Sequence, residues 1–127
     1  MADQSDLARE FLELARDDHA AAAALLDVAV SDAIVFFHAQ QAVEKALKAM
    51  LAAASADFPR THNIAVLMLL CEDAKIELPP SLAEADLLTP YAVAARYGAT
   101  SPATVDRQSA LRFAAQAVDW ADRHIPD

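Results

Sequence analysis

The sequence has one glycine in 127 residues, Gly98, and one cysteine, Cys71. β-rich folds draw on several glycines for turns with positive φ, so this scarcity argues for helices. A single thiol excludes an internal disulfide and any cysteine-rich zinc site. Long apolar runs are missing too: the longest, IAVLMLLC at 64–71, falls well short of the ~20 residues that span a bilayer. The first ten residues, MADQSDLARE, carry acidic groups and no apolar core, unlike a secretory signal. The expectation is a cytoplasmic protein with no membrane segment. Basic charge is also scarce. Ten Lys and Arg stand against nineteen Asp and Glu, a formal net charge of −9. Such a chain gains little by displacing counterions from a phosphate backbone. That argues against a broad nucleic-acid surface and leaves room for a small basic pocket.

What is present favours helix. Hydrophobic residues make up 56% of the chain and charged residues 23%, with alanine, leucine, glutamate and lysine, all good helix formers, prominent. The length suits one domain over residues 1–127, burying roughly two thirds of its unfolded surface. No internal repeat is visible, and the prolines at 59, 79, 80, 90, 102 and 126 punctuate the chain.

The spacing predicts a first helix over about Ser5–Leu26, with Leu7, Phe11, Leu14, Asp18, Ala21 and Leu25 on one seam and a close-packing run of alanines at 20–24. A second helix starts at a Ser31 or Asp32 cap and runs to about Ser55, with Phe36, Val43, Leu47 and Met50 inward. A polar row of His38, Gln41, Lys45 and Lys48 crosses this helix, and Glu44 and Lys48 are spaced to pair. The third helix spans about His62–Lys75, with Ile64, Leu67, Met68 and Cys71 inward. SLAE at 81–84 reads as a capping box. Thr89-Pro90 reads as the cap and first residue of a short helix reaching Tyr97, closed by Gly98. Ser101-Pro102 opens the last helix, with Leu111, Ala114, Val118, Ala121 and Ile125 on one seam, widened by Phe113, Ala117 and Trp120. The fold expected is all-α: an up-and-down bundle of four main helices plus one short helix.

Three blocks in order, FHAQQAVEKALKAML at 37–51, FPRTHNIAVLM at 58–68 and YAVAARYG at 91–98, resemble the HEPN family, the higher-eukaryote and prokaryote nucleotide-binding domain. The resemblance extends over about residues 4–125. It implies a HEPN-like helical bundle that forms a homodimer, often beside a partner of nucleotidyltransferase fold in a toxin–antitoxin pair. It also implies, in active members, a metal-independent ribonuclease built on an arginine, four to six arbitrary residues, then a histidine. Arginine there stabilises phosphorane-like charge and histidine moves the proton. In this chain Arg96 matches the family's Arg-Tyr with Tyr97, but positions 101, 102 and 103 are Ser, Pro and Ala. No other arginine has a histidine at that distance, so the ribonuclease motif is absent from the sequence.

The candidate nucleotide- or phosphate-binding residues are therefore Lys45, Lys48, His62, Arg96 and Tyr97, with His38, Gln41, Glu44 and Arg60 lining the same cleft. Each has a plainer reading. Arg96 fits a helix-end arginine paired with Glu44 or another carboxylate, and the row on the second helix fits a solvated face. Arg60-Thr61-His62 fits either an anion site at a helix start or a cap made by Thr61 or Asn63 with His62 packed beside it. His19 and His124 have no partner at ligand spacing, so neither metal nor cofactor is expected, and no Ser/His/Asp signature is present. The leading expectation is a binding protein whose occupant is a nucleotide or RNA and whose partner has a nucleotidyltransferase fold. The alternatives are a ribonuclease toxin that brings Arg96 and His62 together in space, and a non-catalytic module that only self-associates.

Overall fold

The computed structural model describes residues 3–92 and 105–126. Four α-helices make the frame: α1 (Gln4–Ala24), α2 (Asp32–Ala53), α3 (Ile64–Asp73) and α4 (Arg107–His124). Two 3-10 segments, Pro80–Leu82 and Ala85–Tyr91, lie between α3 and α4. No strand occurs among the described residues, and the expected helical bundle is present. No helix among them is long and apolar enough to cross a membrane.

α2 is the central element and packs against α1, α3, α4 and the second 3-10 segment. Its expected inner face holds: Val43 and Leu47 are fully buried, Phe36 and Met50 nearly so. The α1–α2 pair is the most extensive. Alanines explain how closely it fits. Ala8, Ala15 and Ala22 recur every seven residues on α1, and Ala39, Ala42, Ala46 and Ala49 follow steps of three and four on α2, all essentially without exposure. Small side chains let two helix backbones approach.

That close fit turns α1 relative to the expected seam. Its buried residues are Ala8, Leu12, Ala15 and Ala22, while Leu7 and Phe11 pack at the edge and Leu14 is 46% exposed. A large-residue pattern pointed to one face, and the alanines took the neighbouring one. α3 buries Ile64, Leu67 and Cys71 as expected, with Met68 packed beside them. Burial, then nearby Glu72, pushes the Cys71 thiol up to about 12, so it stays a protonated core residue.

Three expected caps are corrected. Ser81 lies inside the first 3-10 segment, whose flanking Pro79 makes no side-chain bond, so no capping box forms at 81–84. The apolar spacing explains why. Leu82, Ala85 and Leu88 are fully buried at steps of three, a stripe that stays on one side of a 3-10 helix but drifts around an α-helix. Thr89 and Pro90 lie within the second segment rather than starting a new helix. The Thr89 hydroxyl instead accepts from the Ile64 N–H of α3 at 3.2 Å. Asp106, not Ser101, caps α4, its carboxylate accepting from the Ser109 N–H at 2.7 Å. The expected helix to Tyr97 and its Gly98 cap lie outside the described residues.

With so little glycine, the chain closes two helices on other residues. Ser55 (φ 56°) and Lys75 (φ 65°) occupy the left-handed position after α2 and α3. The Ala56 N–H then reaches the Leu51 carbonyl and the Ile76 N–H reaches Cys71, both at 2.9 Å, the long return bonds of a Schellman closure.

Candidate functional site

The polar row expected on α2 exists, and it is not a freely solvated face. Its side chains are tied to two carboxylates, one from α1 and one from α2 itself.

The first is Asp18, the acidic interruption in the α1 seam. The turn of α1 aims it at α2, where Lys45 Nζ donates to one oxygen at 2.6 Å and His38 Nδ1 lies 3.0 Å from the other. Asp18 is only 14% exposed at its side chain. Sequence reasoning read this carboxylate as a blemish in an apolar stripe. A charge standing where a leucine belongs was the available signal that something on the facing helix needed it.

The second is Glu44, buried to 3% exposure at its side chain. Lys48 Nζ donates to Oε2 at 2.9 Å, the i to i+4 pair read from the sequence. Oε1 takes Gln40 Nε2 at 2.9 Å and His62 Nδ1 at 2.9 Å, with Gln41 Nε2 at 3.5 Å. The fully buried Gln40 also donates to the His62 carbonyl at 3.1 Å and accepts from Gln41 at 2.7 Å. Burial raises the Glu44 carboxyl, but the hydrogen bonds from Lys48, Gln40 and His62 outweigh it and hold it below its ordinary value. An ionised carboxylate only accepts, so His62 Nδ1 carries the hydrogen and Nε2 is the ring's other edge. The His62 side chain is 63% exposed. Rather than packing away, it stands outward on a buried anchor.

The lead-in to α3 is capped from both sides. The Asn63 carbonyl oxygen of the side chain accepts from the Val66 N–H at 3.2 Å, Thr61 Oγ1 accepts from the Asn63 N–H at 3.0 Å, and Thr89 takes Ile64. Two of the first three helical N–H groups are thereby satisfied, which leaves little of the bare anion site open there. Arg60 is exposed beside this turn.

Of the sequence candidates, the structure brings together Lys48, His62, Gln41 and Glu44, and ties Lys45 and His38 to Asp18 instead. Arg96 and Tyr97 lie outside the described residues. Three surface hollows have linings that are described in full: Glu10, Glu13, Leu14 and Asp17 on α1; Glu77–Pro79 with Trp120, Arg123 and His124; and the end of α2 with Lys75–Glu77 and His124. None of the three includes a member of the row. Among the described residues, no group of three His, Cys, Asp or Glu is placed to hold a metal ion.

The arrangement on α2 and its lead-in to α3 uses the residues of the two N-terminal blocks that resemble HEPN. The model of that family, described as the HEPN domain, matches residues 8–124. The chain belongs to the HEPN domain family. Comparison with curated proteins and with solved structures gives no match. In this HEPN domain, Gln40, Glu44, Lys48 and His62 form one connected network within the matched region.

Proposed function

We propose that this HEPN domain works by binding rather than by cleavage: as a homodimer, beside a protein of nucleotidyltransferase fold in a toxin–antitoxin-like pair, with a nucleotide held at the polar row of α2. The observation that supports this is the exposed His62 ring held in one orientation by the buried Glu44. A fixed imidazole edge beside Lys48 is a recognition surface whose ordering cost is met before a ligand arrives. Each lysine gives one donor to its carboxylate and has three in all, so a phosphate can be added without dismantling either pair. The sequence lacks the arginine–histidine spacing that a HEPN ribonuclease uses, and that weighs against cleavage.

The test is affinity purification of the tagged protein from its native cells, with proteins, nucleotides and RNA all analysed. Recovery of a nucleotidyltransferase-fold protein or a bound nucleotide, reduced in His62→Ala, supports the reading. Recovery of neither contradicts it.

The same hub favours one second reading, a ribonuclease with a variant site. A carboxylate on Nδ1 with Nε2 outward is the arrangement that orients a histidine as general base. That reading requires RNA cleavage by the purified protein, lost in both His62→Ala and Arg96→Ala.

A further inference from the structure

We propose that the end of the bundle where α2 and α4 finish docks an extended peptide whose apolar residues stand between two acidic ones. Two hollows of about 280 and 340 Å³ lie there, and Glu77 and His124 line both, so the two adjoin. Met50, Ala53 and Ile76 wall the groove on one side of that shared pair, and Leu78, Pro79 and Trp120 on the other. Neither hollow is much beyond the ~300 Å³ at which small-molecule pockets begin. That suits a chain laid across both better than a compact ligand held in one.

The groove has a strand-like edge. Residues 76–79 lie outside every helix. Ile76 and Leu78 pack on the core while Glu77 between them is exposed, the alternation of an extended segment. Among the described residues, the N–H and carbonyl groups of Glu77 and Leu78 take no backbone partner. An extended peptide pairs with such groups as it does with an open sheet edge.

Charge sets what the peptide must carry. Lys75 lines the first hollow and Arg123 the second. Lys75 forms no ion pair among the described residues. Arg123 engages Asp119 through Nε alone, leaving both Nη groups. Acceptors stand between these cations. One is the Glu77 carboxylate. The other is His124 Nε2, because Nδ1 faces the Trp120 carbonyl at 2.8 Å and carries the hydrogen. The order along the groove is cation, acceptors, cation. Its complement is acid, backbone N–H donors, acid, with apolar side chains seated between.

Two fluorescein-labelled peptides with blocked ends test this, Glu-Leu-Val-Leu-Glu and Lys-Leu-Val-Leu-Lys. By anisotropy the glutamate peptide should bind the full chain at least about tenfold more tightly. Lys75→Glu should weaken it about tenfold, and adding Arg123→Glu should reverse the preference towards the lysine peptide, which lost folding cannot do. Ala53→Trp fills the first hollow from an exposed position and should weaken the glutamate peptide too. Equal binding of the two peptides, no binding of the first, or indifference to these substitutions overturns the proposal. A dimer that Ala53→Trp dissociates in sedimentation also overturns it, because the groove then belongs to a second copy. The groove shares no residue with the row on α2, so His62→Ala should leave peptide binding unchanged, and failure here leaves the nucleotide reading standing.

Discussion

Two of the polar networks that hold α2, one built on Arg107 and one on Glu44, differ in what they leave facing solvent. At its N-terminal end, Arg107 from the first turn of α4 donates to the carbonyls of Leu25 and Leu26 at 3.0 Å, Val28 at 2.9 Å and Val30, and to the Asp32 carboxylate at 2.7 Å. These carbonyls belong to the connection after α1, where those of Leu25 and Val28 also accept from the Val28 and Val30 N–H groups. All three guanidinium nitrogens are engaged within the protein, so the clamp is closed. At mid-helix, Glu44 is the reverse: a buried acceptor whose donors include one, His62, with a second nitrogen and most of its ring in solvent. A closed network ties elements together. An open one also presents something.

The comparison breaks most sharply at Glu44. Glu44→Ala leaves the Lys48 ammonium, 12% exposed, without its acceptor and should cost roughly 3 kcal/mol in urea unfolding. Replacing both residues by methionine should recover most of that loss, because an apolar pair of similar volume carries no desolvation cost. Arg107→Ala should cost about 2 kcal/mol, and Arg107→Lys should recover little, since an ammonium cannot fork over several carbonyls. His62→Ala belongs to the same hub as Glu44, yet its exposure limits the stability loss to under about 1 kcal/mol. It should change ligand binding where Arg107→Ala does not.

Acid sharpens the contrast further. The Glu44 carboxyl is held below its ordinary 4.5, so near that pH the unfolded chain binds more protons than the folded one. The stabilisation it brings is complete above about pH 4.5 and is lost as pH falls through the lower folded value. Unfolding midpoints measured from pH 6 to about pH 3 should therefore fall less steeply in Glu44→Gln than in the wild type. The smallest effect is a gain. Lys75→Gly, and likewise Ser55→Gly, relieves a left-handed residue with a side chain and should raise stability by about 0.5–1 kcal/mol.

The bundle was legible in the sequence because its strongest signals are local. Phe36, Val43, Leu47 and Met50 mark the α2 core by spacing alone, and Glu44–Lys48 is an i to i+4 pair whose geometry any helix supplies. What the sequence concealed depends on neighbours. α1 turned onto its alanines because close approach to α2 outweighed the larger residues, and that turn also brought Asp18 to His38 and Lys45. Thr89 caps a helix 25 residues earlier, a contact that no local pattern encodes. Leu82, Ala85 and Leu88 did carry a period of three, but Ser81 and Glu84 offered a familiar helix start over the same residues. Of the candidate site, the members on α2 and at the start of α3 converge because Glu44 is buried between them, and burial is the property a single sequence shows least well.

The most direct test of the open hub is a calorimetric titration of ATP and GTP into the wild type, His62→Ala and Arg107→Ala, each at a temperature where all three are folded. The account predicts saturable binding by the wild type, at least tenfold weaker in His62→Ala and unchanged in Arg107→Ala. Equal affinity in all three proteins, or none in the wild type, would contradict it.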